Sequence, residues 1–197
     1  MNKIACVILA AGESSRLGEP KQLLDYGKTN LINHAITVAR EAGLVRVIAV
    51  TGAFHEEVIK SIQNEVTICY NQHWRDGIGR SIAEGLRCAL DKEPLLSAVA
   101  LMVCDQPHLT ANHLASMIAE YRSQNCELLA SAYADTLGTP AIVGRNYFSH
   151  LLSLTGKEGA KKLFQQFGKD LKSFSFPEGS IDIDTREDYL NLSAEIK

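Results

Sequence analysis

The sequence predicts a three-layer α/β fold in which helices cover both faces of a doubly wound, mostly parallel sheet. Three observations carry this expectation. Short β-branched runs alternate with longer amphipathic ones, the rhythm of βαβ units. The strand candidates are almost continuously apolar, as strands are when both faces of a sheet are covered. The chain has 197 residues, 46% of them hydrophobic and 22% charged, which suits one large core and neither disorder nor a membrane protein. A single domain over residues 1–197 is therefore expected.

The strand candidates are "KIACVILA", "VRVIAV", "VTICY" and "AVALMVC", each followed by a turn signal and a helical pattern. "TNLINHAITVAREAG" starts at a capping residue, Thr29 or Asn30, and stops at Gly43. "HEEVIKSIQNE" and "RSIAEGLRCAL" place apolar residues three and four apart, so all three segments predict crossover helices. Thr110 is a plausible N-cap for "ANHLASMIAEYRSQ". Residues 127–144 loosen into strand-like pieces interrupted by "DTLGTP", a substrate-facing hairpin or a small insertion. "GAKKLFQQFG" is helical, and in "SIDIDTREDYLNLSAEI" a short strand leads into a last helix.

Composition narrows the function. The first apolar run, "IACVILAAG", breaks at once into "ESSR"; it is too short for a membrane span and lacks a secretory cleavage pattern, so a cytoplasmic protein without a membrane partner is expected. The five cysteines (Cys6, Cys69, Cys88, Cys104, Cys126) are far apart and form no C-x-x-C. They predict neither a disulfide framework nor a zinc site, but small buried apolar residues. The histidines show no metal-ligand spacing and are expected mostly at the surface. Net charge is −3 with lysine and arginine dispersed, so no nucleic-acid footprint is visible and a small-molecule partner is favoured.

Three segments carry chemistry by residue type. In "ILAAGESSRLGEPKQLL" a small-residue, hydroxyl-rich loop follows the first strand. Ala10, Ala11 and Gly12 allow close approach of backbone to phosphate, Ser14 and Ser15 can donate hydrogen bonds, and Arg16 and Lys21 can neutralise a triphosphate. The alternative is a plain strand-to-helix turn with two surface cations. "AVALMVCDQP" delivers Asp105 to the carboxyl end of a strand, where ligands of open α/β sheets bind; a carboxylate there can hold part of a Mg²⁺ shell or begin an Asx turn. In "SIDIDTREDYL", Asp184 or Thr185 can cap the last helix, and Asp182 shares a face with Asp184 if the segment is extended. Neither G-x-x-x-x-G-K-[ST] nor G-x-G-x-x-G follows the first strand, and Ile82 stands where "DGIGRSI" would need its third glycine, so an NAD-dependent oxidoreductase is a weak reading.

Taken as whole strings, these segments resemble the MobA-like NTP transferase family. Leu9, Ala10, Ala11, Gly12, Ser14, Arg16, Leu17, Gly18 and Lys21 match its opening L-A-[AG]-G-x-S-x-R-[ML]-G-x-x-K. Asn71, Trp74, Gly77, Ser81, Ile82, Gly85 and Leu86 match N-x-x-W-x-x-G-x-x-x-S-[IL]-x-x-G-[IL]. D-Q-P and D-I-D-T are also present, with Cys104 in place of a frequent Gly and Arg186 in place of the usual Pro. Gly138, Pro140, Gly156, Gly159 and Ala160 match a further strand and loop, where Lys157 stands at a frequent Asp.

The resemblance implies a Rossmann-like, nucleotide-diphospho-sugar transferase type of fold and a nucleotidyltransferase that moves a nucleoside monophosphate from an NTP to a phosphorylated acceptor. It implies catalytic roles for Arg16, Lys21 and Asp105. Nucleotide contacts fall on Leu9, Ala10, Ala11, Gly12, Ser14, Ser15, Arg16, Lys21, Gly77, Gly79 and Ser81. Mg²⁺ falls on Asp105 and Asp184, with Asp182 as the runner-up. Trp74 is expected to pack rather than stack on a base. "L-A-A-G" looks like the molybdopterin cytidylyltransferase branch, in which the Ala11 methyl narrows the base pocket. CTP is therefore favoured, with the molybdenum cofactor as acceptor and the product handed to a molybdoenzyme or its chaperone. A sugar phosphate as acceptor, a GTP-dependent guanylyltransferase and a non-catalytic nucleotide-binding module are the alternatives.

Overall fold

The computed structural model describes residues 3–195. Residues 1, 2, 196 and 197, which complete the expected domain and the end of the expected last helix, lie outside the described residues. In chain order the strands are β1 (Ile4–Ala10), β2 (Asp25–Tyr26), β3 (Thr29–Asn30), β4 (Arg46–Thr51), β5 (Thr67–Tyr70), β6 (Ala98–Val103), β7 (Leu128–Tyr133), β8 (Thr136–Gly144) and β9 (Leu171–Ser175). The helices are α1 (Leu31–Glu41), α2 (His55–Ser61), α3 (Ile78–Lys92), α4 (Ala111–Ser123), α5 (Phe148–Leu152), α6 (Ala160–Gln166) and α7 (Arg186–Glu195).

Seven strands form one sheet in the order β5-β4-β1-β6-β8-β7-β9. Only β8 runs against its neighbours, so the sheet is mostly parallel as expected. Every residue of β1 is buried, and alternation divides its side chains between two apolar layers. Ile4, Cys6 and Ile8 pack with Ile32 and Ile36 of α1 and Leu114 and Met117 of α4. Ala5, Val7 and Leu9 pack on the other face with Ile82 and Leu86 of α3 and Leu163 of α6. Burial of each large aliphatic side chain contributes roughly 1.5–3 kcal/mol. At Gly85 of α3 a Cβ would stand 2.5 Å from Val7 Cγ1, so the helix lies this close to the sheet only because no side chain intervenes.

Two of the helices, α1 and α4, start at the side-chain caps expected for them. Asn30 Oδ1 accepts from the Asn33 amide at 3.1 Å, and Thr110 Oγ1 accepts from the His113 amide at 3.1 Å. Several expectations are corrected. "DTLGTP" does not interrupt a strand: Thr136–Pro140 lie inside β8, and the β7–β8 hairpin turns at Ala134 and Asp135, both with positive φ. β9 went unforeseen because its five residues alternate weakly and stay half-exposed at the sheet edge. Residues 181–184 are not a strand. Cys69 and Cys88 are only half-buried, unlike Cys6, Cys104 and Cys126. The histidines are mostly half-buried too, and His73 alone is exposed.

Candidate active site

β1 and β6 are neighbours in register, with Leu9 opposite Val103, so the loops that follow them leave the sheet side by side. The first loop is held by its own polar groups. Ser14 takes a positive φ of 51°; its carbonyl accepts from the Leu17 and Gly18 amides at 3.0 and 3.2 Å. Its Oγ accepts from the Lys21 amide at 3.1 Å, which leaves its hydroxyl proton for a ligand. Gln22, 1% exposed, fastens the loop from beneath: its Nε2 donates to the carbonyls of Ala10 at 3.0 Å and Gly12 at 2.9 Å. Ala10 and Ala11 are buried, while Gly12, Ser15 and Arg16 are exposed.

Lys21 joins this loop to the two acidic segments. Its Nζ lies 2.6 Å from Asp105 Oδ2 and 2.8 Å from Asp184 Oδ1. Arg16 Nη2 reaches the other oxygen of Asp184 at 2.5 Å. Burial works to lower the Lys21 pKa, but the charge and hydrogen bond of Asp105 and the hydrogen bond of Asp184 outweigh it and raise it. Asp184 is held below the usual carboxylate range, first by the Lys21 hydrogen bond, against the effect of burial, with Arg16 assisting. Asp182 is shifted the other way: burial raises it, and the charges of Asp184 and Asp105 add to this. The helix cap falls to Thr185, whose Oγ1 accepts from the Asp188 amide at 3.2 Å while Asp188 Oδ2 accepts from the Thr185 amide at 2.7 Å. This capping box frees the Asp184 side chain for Lys21 and Arg16.

Asp105 and Asp184 converge on the single ammonium of Lys21, and Asp182 is close enough to feel the charge of both. Among the described residues no group of three His, Cys, Asp or Glu is placed to hold a metal by itself. Mg²⁺ commonly takes one or two carboxylates, with phosphate oxygens and water completing its shell, so Asp105 and Asp184 fit such an ion with a triphosphate beside them.

The opposite wall is the start of α3. Asn71 Nδ2 donates to Ser81 Oγ at 2.9 Å, fixing the hydroxyl. Gly77 has φ +113°, and a Cβ there would stand 2.3 Å from the Gly156 carbonyl oxygen. The Gly79 amide donates to that same oxygen at 3.1 Å. Gly79 thus serves the contact between α3 and the 155–159 loop. A cavity of about 640 Å³ lies between the walls, within the range of small-molecule sites. Leu9, Ala11, Gly12, Lys21, Gly77, Ser81 and Asp105 all line it. Ala10, Ser14, Ser15, Arg16, Gly79, Asp182 and Asp184 stand outside its lining.

Sequence reasoning passed over the lining residues Glu13, Gln22, Arg75, Ile78 and Val103, whereas Lys157, singled out for its charge in the family pattern, does line the cavity. The Arg75 guanidinium lies over the half-buried Trp74 ring, 4.3 Å from its centroid, so this tryptophan both packs and lines the cavity. Arg75 had no signal beyond its charge, and Gln22 read as one more polar residue of a loop. His108 lines a separate small cavity with Asp182 and Asp188.

A mostly parallel sheet with a small-residue, cationic loop beside two acidic segments defines a nucleotidyltransferase of the nucleotide-diphospho-sugar transferase fold. The family model of the MobA-like NTP transferase domain matches residues 6–171, and the chain belongs to that family. The purine catabolism protein PucB of Bacillus subtilis is 25% identical over 194 residues, covering 93% of this chain and 92% of PucB. The crystal structure of the Rv0371c homologue from Mycobacterium sp. strain JC1 superposes with a TM-score of 0.83 at 29% identity, covering 98% of this chain and 96% of that one. Rv0371c of Mycobacterium tuberculosis, solved in complex with manganese, superposes with a TM-score of 0.80 at 27% identity, covering 97% of this chain and 98% of that one. No helix among the described residues is long and apolar enough to cross a membrane.

Proposed function

We propose that this chain, one domain over residues 1–197, transfers CMP from CTP to the phosphate of molybdopterin, in the cytoplasm, with release of pyrophosphate. The observation that carries the reading is the convergence of Lys21 on both Asp105 and Asp184 beneath the small-residue loop. An acceptor phosphate oxygen attacks the α-phosphorus, the bond from that phosphorus to the β-phosphate oxygen breaks, and pyrophosphate leaves. The nucleophile is ionised at neutral pH, so no catalytic base is required, and positioning with charge neutralisation supplies the rate.

Ala10, Ala11, Gly12, Ser14 and Ser15 receive the triphosphate, and Lys21 and Arg16 turn from their carboxylates towards its oxygens. Gly77, Gly79 and Ser81 shape the base and ribose side. Asp105 and Asp184 hold Mg²⁺, with Asp182 as the alternative ligand; the ion supplies a Lewis acid and a template when bound. The manganese complex of Rv0371c supports a divalent ion here. The Ala11 methyl, which lines the cavity, favours cytosine over guanine. The product then passes to a molybdoenzyme or its chaperone.

The test is a thermal-shift panel of CTP, GTP, ATP and UTP with Mg²⁺, followed by pyrophosphate release with and without molybdopterin. A ligand that binds only the native state raises the melting temperature. CTP should give the largest shift, and release should require molybdopterin. A larger shift with GTP removes the cytidylyl assignment; release with a sugar phosphate instead of molybdopterin removes the acceptor; binding without turnover of any NTP leaves a nucleotide-binding module.

A further inference from the structure

The nucleotide cavity has a neighbour. A second cavity of about 370 Å³ lies between the β7–β8 hairpin, which contributes Tyr133 and Thr139, and α6, which contributes Phe164. Ile78, Val103 and Lys157 line both cavities and so mark the seam between them. Tyr133, Phe164, Ile78, Val103 and Ala160 give the second cavity a largely apolar surface. Glu158, Lys161 and Lys162 also line it, but of its three lysines Lys157 alone lines the first cavity as well.

Lys157 is exposed and, unlike Lys21 and Arg16, has no ion-pair or hydrogen-bond partner among the described residues. Its neighbour Glu158 is engaged by Lys162 at 2.6 Å. The backbone that carries Lys157 is fixed to the nucleotide wall, because the Gly156 carbonyl accepts from the Gly79 amide and packs on the bare Cα of Gly77. The lysine is therefore presented to the seam by the same contact that closes the base side of the cleft. Two anions must meet there in any phosphate-to-phosphate transfer, and an unpaired cation at the meeting point offsets their repulsion.

We propose that Lys157 selects the acceptor: it binds the phosphate of a monoester at the seam while the rest of that monoester lies in the second cavity. The inference rests on the nucleotidyltransferase reading of the first cavity.

The test uses phenyl phosphate, an aromatic monoester, titrated calorimetrically into the full chain with Mg²⁺, both without nucleotide and with the non-transferring analogue α,β-methylene-CTP. The wild type should bind phenyl phosphate and not benzyl alcohol. Lys157→Ala and Lys157→Asp should weaken phenyl phosphate about tenfold or more, the usual effect of losing a charged hydrogen bond. Lys157→Arg should retain it, and all three should bind the CTP analogue as the wild type does and melt within a few degrees of it. Phenyl phosphate binding that is absent from the wild type or unchanged in Lys157→Asp overturns the proposal. So does an equal loss of the CTP analogue, which would make Lys157 a nucleotide ligand. Failure of the analogue to bind the wild type counts against the nucleotide reading alone, since the nucleotide-free titrations still read the dependence on Lys157.

Discussion

The backbone amide of Ile183 donates to the backbone carbonyl of Asp105 at 3.1 Å. This one hydrogen bond stitches the loop after β6 to the segment before α7. The Ile183 side chain is fully buried, packing with Leu17, Leu24, Leu31 and Leu192, while its neighbours Asp182 and Asp184 stay exposed and half-buried. Two carboxylates thus come to stand beside a third although their segments are far apart in sequence.

Asp105→Asn and Asp184→Asn are each expected to lower the rate of pyrophosphate release by about 10²–10³-fold, the scale for losing one preorganised electrostatic group from an active site. Asp182→Asn should cost less, because Asp182, unlike Asp105 and Asp184, does not pair with Lys21. Steady-state rates at saturating Mg²⁺ give the ranking, and a larger loss at Asp182 would exchange the roles of Asp182 and Asp184.

Lys21→Met is expected to abolish most turnover and also to change how stability responds to metal. Without the ammonium, Asp105, Asp184 and Asp182 are left as like charges in one place. The variant should melt lower than the wild type in EDTA, and Mg²⁺ or Mn²⁺ should raise its melting temperature by more than the wild type's. Equal responses of the two proteins in scanning fluorimetry would remove the shared cation site.

Gly77→Ala addresses the contact between the nucleotide wall and the 155–159 loop. The position needs φ +113° and its Cβ would meet the Gly156 carbonyl oxygen at 2.3 Å, so both backbone strain and a clash with main chain oppose the substitution. A loss on the order of 2 kcal/mol is expected, read by urea unfolding. Faster cleavage near residue 156 in limited proteolysis should accompany it, and an unchanged cleavage rate would mean that the loop does not depend on this contact.

The sheet was legible in the sequence because β1, β4 and β6 are buried on both faces and write that burial as unbroken apolar runs. β9 was not, because an edge strand needs no such run, and β8 was obscured because Gly138 and Pro140 read as turn signals although both lie inside the strand. In the site, the Leu9–Lys21 loop and Asp105 could be placed at the rim from strand ends alone. The pairing of Lys21 with Asp184, 163 residues apart, could not, since it depends on the backbone hydrogen bond that brings residues 181–184 beside the loop after β6. Gln22 left no trace either: its role lies in two backbone carbonyls, and carbonyls carry no sequence identity.

His113→Phe should stabilise the protein, and most at mildly acid pH. The His113 ring packs against Phe174 and Phe176, with centroids 5.2 and 4.4 Å away, and its buried Nε2 has no hydrogen-bond partner. Removing that unsatisfied nitrogen should gain about 1 kcal/mol. Burial also lowers the pKa of His113, against the opposing charge of Glu178. As pH falls through the unfolded value, about 6.5, the unfolded chain takes up a proton that the folded chain does not, so stability is lost until the lower folded value is passed. His34, lowered chiefly by burial, adds to the same loss and is untouched by the substitution. Melting curves should therefore show a larger gain for His113→Phe at pH 5.5 than at pH 8, with part of the acid loss remaining. An equal gain at both pH values would mean that the His113 proton plays no part in folding.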